Sequence, residues 1–297
     1  MPEEARKHSS SSYKASELEC FDTTSPLFYS SLVTLSFCLF QLFTEKYING
    51  KSEIYSMAGL KDATKITKLR LGVLFSGGKD STFATYLATV FGWDVACLIT
   101  LKSENPESFM FHTPNIHLTS YQAKAMGLPL LVEKTSGKKE DELGDLFAAI
   151  KKAKEQYNIN GIIVGALASD YQHERVNRVC EELHLKTFAP LWHKNQGMLL
   201  KEMIDLGMEI SISSIAADGL SEKWLGRKLD AAAYNELMQL HYRIGLHPAG
   251  EGGEYESVVL YCPFLFKKRL DIKQAEKVME NQYVGTYVIQ KVALDAV

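Results

Sequence analysis

Six consecutive residues, SGGKDS at positions 76–81, have the composition of a loop that binds phosphate groups. The glycines let the backbone approach a ligand closely, and the start of the helix that is predicted to follow adds N–H groups and the positive end of a helix dipole. The lysine supplies a mobile positive charge, and the serines supply hydroxyl groups. An ordinary glycine turn before a helix is the alternative interpretation. We predict that the phosphates of a bound nucleotide are lined by Ser76, Gly77, Gly78, Lys79, Asp80 and Ser81.

The loop differs from two common nucleotide-binding patterns and resembles a third. A P-loop would need Gly at position 73 and a hydroxyl at position 80, where the chain has Val73 and Asp80. The GxGxxG pattern of dinucleotide-binding folds is also missing. The six residues are similar to the loop of the N-type ATP pyrophosphatases, the PP-loop superfamily. That resemblance implies that ATP is split into AMP and pyrophosphate, with Mg²⁺ expected to neutralise the phosphates.

Three further stretches are candidates for the rest of the site. Residues 103–113 and 165–176 each follow a predicted strand, at the rim where a parallel sheet binds its ligand. Residues 250–257, GEGGEYES, form a Gly-rich turn with three carboxylates that leads into a strand. A strand period of two places Glu254 and Glu256 on one face and Tyr255 on the other. A solvated strand face, a loop histidine at His112 and a structural ion pair between Asp170 and Arg175 are the alternatives.

The sequence around these residues alternates between short apolar runs, which predict strands, and stretches with apolar residues three or four positions apart, which predict helices. Strands are predicted at 69–75, 94–101, 128–134 and 161–167, and helices from Asp80, at 119–126 (capped by Thr119), at about 140–157 and after 167. The fold class is therefore α/β, with a parallel sheet covered by helices on both faces. Beyond about residue 190 the pattern loosens, with strands at 208–217 and 254–261 around a helix near 228–242. We predict an ATP-binding PP-loop domain at 57–190 and a smaller, substrate-facing α+β subdomain at 191–297.

The net charge and the spacing of the cysteines and histidines limit the kinds of partner and of metal site that the chain is expected to have. The formal charge of −3 gives no general attraction to nucleic acid, so no direct nucleic-acid partner is expected. The five cysteines have no paired spacing, which favours reduced thiols in a cytoplasmic protein. The eight histidines show no HxH or HExxH spacing, so a tight transition-metal site is not expected and the metal ligands stay unknown.

Residues 1–56 differ from the remainder. They include a Ser-rich start and an uncharged run at 26–43 that carries too many polar residues for a good membrane span, so a membrane anchor is not expected. We interpret 1–56 as an extension ahead of Met57 that is poorly ordered and of doubtful relevance to the activity.

Five stretches together resemble one family. SGGKDS, SFMFHT, GALASDYQ, LGRKLD at 225–230 and HPAGEGGEYES are similar to the diphthine–ammonia ligase family of archaea and eukaryotes. The resemblance implies an adenine nucleotide alpha hydrolase-like fold and ATP-dependent amidation of diphthine on translation elongation factor 2, with ammonium as nitrogen donor. Phe109 stands where the family pattern has Tyr. The oligomeric state is left open, a homodimer included.

The implied chemistry assigns roles to the residues singled out. Catalysis is assigned to Lys79, Asp80, Glu254 and Glu256. Gly165 and Ala166 join the loop in binding ATP. The acceptor is assigned to His112, Ser169, Tyr171, Gln172, Arg175, Glu251 and Tyr255. Because aromatic faces attract a trimethylammonium group, Tyr171, Trp192, Trp224 and Tyr255 are candidate faces for it, with core packing as the alternative.

Two other functions stay open at this point. A tRNA-modifying PP-loop ligase or thiolase would use the same loop, but the cysteine pairs of a thiolase are missing and tRNA binding usually brings a basic surface. A non-catalytic nucleotide sensor would keep the glycine turn but has little use for the carboxylates at 250–257. Formation of AMP and pyrophosphate only in the presence of the acceptor and ammonium would distinguish these functions from the amidation.

Overall fold

The computed structural model describes residues 69–105, 114–138 and 141–297. All of them belong to one compact unit, Thr67–Val297. The extension 1–56 and His112 lie outside the described residues. Within the three described ranges, no helix is both long enough and apolar enough to span a bilayer.

A parallel sheet of five strands forms the first half of the unit, in the order β3-β2-β1-β4-β5. The strands are β1 Arg70–Leu74, β2 Asp94–Ser103, β3 Leu130–Thr135, β4 Gly161–Ile163 and β5 Lys186–Phe188. After β1, the chain adds β2 and then β3 on one side of β1. It then crosses to the other side of β1, where β4 and β5 follow. The loop after β1 therefore lies at the point where the strand order reverses, which is where such sheets bind ligands.

Helices cover both faces of this sheet, which confirms the predicted fold class. They are α1 Lys79–Val90, α2 Thr119–Met126, α3 Glu142–Tyr157 and α4 Asp170–Glu182. On one face, Phe83 and Ala84 of α1 pack in a core with Leu71 and Val73 of β1. On the other face, residues of α3 and α4 pack in a second core with β2 and β4. Alternate strand residues point to opposite faces, so one strand supplies both cores.

An antiparallel sheet of four strands forms the second half, in the order β7-β6-β9-β8. The strands are β6 Glu209–Ala216, β7 Tyr255–Tyr261, β8 Lys268–Met279 and β9 Val284–Ala296, and the helices are α5 Gln196–Asp205 and α6 Ala231–Ile244. Ile210 and Ile212 of β6 are fully buried in the same core as Phe83 of α1. The two sheets therefore share one hydrophobic core, and β7 is held against the start of α1.

The LGRKLD stretch is part of this packing rather than of a ligand site. It runs beside β6, where Leu229 N–H donates to Ile210 O at 2.8 Å and Ile212 N–H donates to Arg227 O at 3.0 Å. Arg227 makes a bidentate ion pair with Glu236, at 2.9 and 2.6 Å. These contacts hold β6 in place, and β6 is the strand with which β7 pairs.

Candidate active site

The phosphate loop leaves the end of β1 in a conformation that requires glycine. Gly77 has a φ of +81°, and a Cβ added to it would lie 2.3 Å from Oε1 of Gln122. The backbone of Gly78 is extended and forms the N-cap of α1. No side chain caps this helix start. The first turn of α1 faces the cleft described below, with the geometry of an anion-binding helix N-terminus.

Two serine hydroxyls brace the loop from within. Ser76 Oγ and Ser81 Oγ are 3.1 Å apart, and Ser81 Oγ donates to Gly78 O at 3.2 Å. The Ser76 N–H also donates to Ser81 Oγ at 3.3 Å. The hydroxyls thus join the two ends of the loop, and Ser76 and Ser81 also line the cleft.

Lys79 is buried and fixed rather than mobile, so the prediction of a mobile charge is wrong. Its side chain is 5% exposed, and its Nζ lies 2.8 Å from Oδ2 of Asp80 and 5.4 Å from the centroid of the Tyr255 ring. Burial by itself lowers the pKa of Lys79, but the Asp80 carboxylate, with smaller contributions from Tyr255 and Glu251, raises that pKa above its ordinary value. Lys79 therefore stays protonated at neutral pH, in an ion pair with Asp80 of the same loop.

Strand β7 docks directly on the loop. The Lys79 N–H donates to Ser257 Oγ at 3.1 Å, and the Val259 N–H donates to Gly77 O at 3.1 Å. Because β7 is an edge strand and, among the strands that the structure describes, pairs only with β6, its outward backbone groups are free to make such contacts. The phosphate loop is thus held between β1 and β7.

The Gly-rich turn before β7 is held by Glu254. Its carboxylate accepts the N–H groups of His247 at 3.0 Å and Gly252 at 2.8 Å. Gly250 and Gly253 have φ values of +74° and +84°, which only glycine adopts without strain. Both oxygens of Glu254 are occupied in this way, and the structure does not place the side chain among those that line the cleft.

Tyr255 and Glu256, by contrast, both line the cleft, together with Glu251. The expected alternation is present between Tyr255, which is buried, and Glu256, which is exposed, but it does not extend to Glu254. The reason is that Glu254 precedes the first residue of β7 and belongs to the turn, where the period of two does not apply. The Tyr255 hydroxyl donates to Pro248 O at 2.7 Å, which closes the turn.

Two carboxyl groups in the cleft have raised pKa values. Burial, reinforced by the negative charge of Asp80, raises the pKa of Glu251 to about 7 even though Lys79 opposes the shift. The surrounding walls of the cleft raise the pKa of Glu256 to about 7 in the same way, although its side chain is accessible from the cleft. Glu251 also accepts the Ala168 N–H at 3.2 Å. Glu251, which is half-buried, is poised to change charge near neutral pH, whereas water screens the exposed Glu256.

The cleft has a volume of about 540 Å³ and has two unlike walls. The loop and the Gly-rich turn form a polar wall. The apolar wall consists of residues from β1, β2, the segment after β4, the 3₁₀ turn Ile116–Leu118 and α4: Leu74, Ile99, Leu101, Ile116, Val164 and Val176. Such a combination fits a ligand with one highly charged end and one flat, apolar end.

Gly165, two residues beyond the end of β4, brings the following segment into contact with the start of α1. A Cβ on Gly165 would lie 2.7 Å from the backbone N of Ser81 and 2.9 Å from the backbone C of Asp80. Ala166, Ser169 and Gln172 follow it along the cleft, and Ser169 caps α4 by accepting the Gln172 N–H at 3.4 Å.

Tyr171 and Arg175 are not among the residues that line the cleft. The guanidinium carbon of Arg175 lies 3.4 Å from the centroid of the Tyr171 ring, so the arginine covers that face. Trp224 is buried with Arg227 at 4.4 Å from its ring, and Tyr255 is buried against Lys79. Protein cations therefore cover a face of each of these three rings, and the interpretation of Trp224 as a face for a ligand cation is wrong.

Sequence reasoning missed three residues of the site. His173 lines the cleft with its ring stacked on Trp192, at 4.1 Å between centroids. Ser257 lies within the stretch singled out, yet its contact with the loop depends on the tertiary position of β7. Gln122 is wholly buried against the loop, and a glutamine within a helical pattern gives no signal of such a role.

Comparison with known proteins identifies the family. The diphthamide synthase N-terminal domain matches residues 69–187, and the diphthamide synthase C-terminal domain matches residues 195–294. The diphthine–ammonia ligases of Bos taurus and Homo sapiens are 38% and 37% identical over 232 residues, which cover 72% of this chain and 86% of each relative. A solved "predicted subunit of tRNA methyltransferase" from Methanocaldococcus jannaschii aligns with 67% of this chain and 100% of its own at 18% identity and a TM-score of 0.37, which supports no inference. This chain belongs to the diphthamide synthase family.

Proposed function

We propose that this chain is a ligase that forms a carbon–nitrogen bond. Its reaction is the ATP-dependent amidation of diphthine on translation elongation factor 2, with ammonium as nitrogen donor. Membership of the diphthamide synthase family supports the proposal, as do relatives named diphthine–ammonia ligase that align over most of their length. The observation that carries it is the meeting, in one cleft, of a phosphate loop that holds the protonated Lys79 with the carboxyl groups of Glu251 in the Gly-rich turn and Glu256 at the start of β7.

The polar wall suits the pyrophosphate half of ATP. Lys79 and the uncapped first turn of α1 attract the β- and γ-phosphates, and the apolar wall accommodates the adenine ring. Gly165 and Ala166 also line the cleft, and Gly165 contacts the start of α1, so we place the α-phosphate near them. With the leaving pyrophosphate held in this way, the α-phosphorus is the atom exposed to attack.

The reaction proceeds in two balanced steps. A carboxylate oxygen of diphthine attacks the α-phosphorus, the bond from that phosphorus to the bridging oxygen breaks, and pyrophosphate leaves with the electron pair. Ammonia then adds its lone pair to the carbonyl carbon of the acyl adenylate. The carbon–oxygen bond to AMP breaks, and the nitrogen loses a proton to give the amide. ATP, diphthine and ammonium thus become AMP, pyrophosphate, diphthamide and two protons, one released when ammonium becomes ammonia and one released from the nitrogen after it has added.

Glu251 and Glu256 suit the acceptor half of the cleft. Their carboxylates attract ammonium and the trimethylammonium group of diphthine, and a carboxyl group with a pKa near 7 is matched to removing a proton from the attacking nitrogen. We assign Ser169 and Gln172 to contacts with the acceptor, because both line the cleft beyond Gly165. Tyr171, Arg175, Tyr255 and Glu254 act by holding the elements that carry these groups.

Mg²⁺ is expected with ATP, and the donors present fit it. Within the described ranges, no group of three or more His, Cys, Asp or Glu side chains could hold an ion. Protein-bound Mg²⁺ commonly takes only one or two carboxylates and completes its coordination with phosphates and water. Asp80 lines the cleft beside the loop, and its buried Oδ1 accepts no hydrogen bond in the described structure. We propose that Asp80 would hold the ion, which would neutralise phosphate charge.

The remaining assignments follow from this function. We propose that the ATP-binding domain extends over 57–190 and the substrate-facing subdomain over 191–297, with β7 reaching back to the loop. Because the substrate is a translation factor, we propose a cytoplasmic location.

The direct test combines the purified chain with ATP, Mg²⁺, ammonium and elongation factor 2 that carries diphthine. AMP and pyrophosphate should form in equal amounts, and mass spectrometry should show conversion of the diphthine carboxyl group to an amide. Unmodified elongation factor is the control and should give neither product. Nucleotide binding without turnover under all conditions would favour a sensor, and turnover that depends on tRNA would favour a tRNA-modifying enzyme.

A further inference from the structure

Gln122 of α2 connects the phosphate loop to β7 at a point the proposed chemistry does not use. It is wholly buried. Its Nε2 donates to Gly77 O at 2.8 Å and to Val259 O at 2.8 Å. Together with the bond from Val259 N–H to Gly77 O at 3.1 Å, these contacts form a closed triangle of hydrogen bonds.

The orientation of the Gln122 amide is fixed by its surroundings. A flipped amide would point Oε1 at the carbonyl oxygens of Gly77 and Val259, which offer no hydrogen to accept. In the observed orientation Oε1 is buried without a donor among the described residues. A buried acceptor without a partner costs free energy, so the two donated bonds compensate for it. Gln122 thus supplies hydrogen bonds to the two carbonyl oxygens, although its own Oε1 accepts none from the described residues.

The triangle controls which way one peptide of the loop faces. In a trans peptide, the C=O and the following N–H point in opposite directions. Holding Gly77 O toward Gln122 and β7 therefore directs the Gly78 N–H to the other side, where it lies 3.4 Å from Ser76 Oγ. Gly78 and Ser76 both line the cleft. A flipped peptide would present a carbonyl oxygen to that side and repel phosphate.

We propose that Gln122 is a positioning residue that locks the Gly77–Gly78 peptide in the orientation required for ATP. It touches no substrate and acts through the loop backbone and β7. The C-terminal sheet is thereby a structural part of the nucleotide site, because Val259 completes the lock. This inference rests on the proposed function only in taking the loop as the ATP-phosphate site.

The test measures ATP affinity without any acceptor, by calorimetry on the full chain. Gln122→Met keeps the length but loses both donors, and Gln122→Asn keeps the amide but is too short to reach both carbonyls. Met126→Ala is the matched control, because Met126 is buried in the same helix and belongs to the hydrophobic core. Each protein is assayed below its own melting temperature.

We expect Kd for ATP to rise on the order of tenfold in both Gln122 variants, about the effect of one net hydrogen bond. Met126→Ala should melt earlier yet bind ATP with the wild-type Kd. If the Gln122 variants melt earlier but keep the wild-type Kd, Gln122 only supports the fold and the inference is wrong. If the wild-type chain does not bind ATP at all, it is the proposed function that fails.

Discussion

Gly165→Ala should damage the ATP site through a single added methyl group. The Cβ would lie 2.7 Å from the backbone N of Ser81, and 3.4 Å is the lower limit of ordinary contact, so the two backbones must separate by about 0.7 Å (3.4 minus 2.7). Both clashing atoms belong to backbone at the start of α1, which cannot rotate away as a side chain would. The displaced groups are the N–H donors proposed to bind phosphate.

The magnitude follows from that displacement. Overpacking of this kind costs about 1–3 kcal/mol of stability. A misplacement approaching 1 Å at a reacting centre costs up to roughly 100-fold in rate, so we expect AMP formation to fall by about 10- to 100-fold. Calorimetric melting and the rate of AMP release report the two effects separately.

Gly144→Ala is the matched control. Gly144 lies within α3, and a Cβ there would meet nothing within 4 Å. Alanine is a better helix former than glycine, so this variant should gain up to about 1 kcal/mol and keep the wild-type rate. Wild-type ATP binding and turnover in Gly165→Ala would refute the close approach of β4 to the phosphate site.

Three further substitutions test the polar wall. Lys79→Met should weaken ATP binding by more than about tenfold, because it removes the fixed charge. Lys134→Met removes a lysine from an exposed ion pair and should leave ATP binding unchanged. Equal Kd values for the two variants would contradict the role of Lys79. The pKa of Glu251 in the folded chain is about 7, above its ordinary value of 4.5. The contribution of this carboxyl group to the free energy of unfolding is therefore complete below about pH 4.5, and it is lost as the pH rises through about 7. Glu251→Gln should therefore gain melting temperature relative to wild type between about pH 5 and pH 8, and a pH-independent difference would show that the carboxyl group is not perturbed. Glu254→Ala should lose about 2 kcal/mol of unfolding free energy because two N–H groups lose their acceptor, whereas exposed Glu276→Ala should not; a stable Glu254→Ala that fails only in turnover would restore a direct catalytic role.

Local pattern predicted the elements around the phosphate loop well. The strand, the glycine turn and the helix from about residue 80 are confirmed as β1, the loop and α1. Helices at 119–126 and about 140–157 are confirmed as α2 and α3. The cap assigned to Thr119 is wrong, because a 3₁₀ turn at Ile116–Leu118 precedes it and Thr119 Oγ1 donates to Ile116 O at 2.7 Å. These predictions rest on hydrophobic periodicity and on the positions of glycines, and both signals depend only on residues a few positions apart.

The features that the sequence did not predict depend on contacts between distant residues. The strands β8 and β9 pair with each other in a long hairpin. The sequence of β8 is largely polar and gave little strand signal. Gln122 and Val259 are 137 residues apart, so neither could be assigned to the loop from its own surroundings. The role of Glu254 was missed for the same reason, since alternation along a strand says nothing about a turn whose N–H groups need an acceptor.

The account as a whole depends on the coupling of ATP cleavage to amidation. The most direct measurement is the release of AMP and pyrophosphate by the purified chain as diphthine-bearing elongation factor 2 and ammonium are added singly and together. The account predicts one AMP for each amide formed, with both products requiring the acceptor and ammonium together. Amide formation accompanied by ADP and phosphate instead of AMP and pyrophosphate would contradict it.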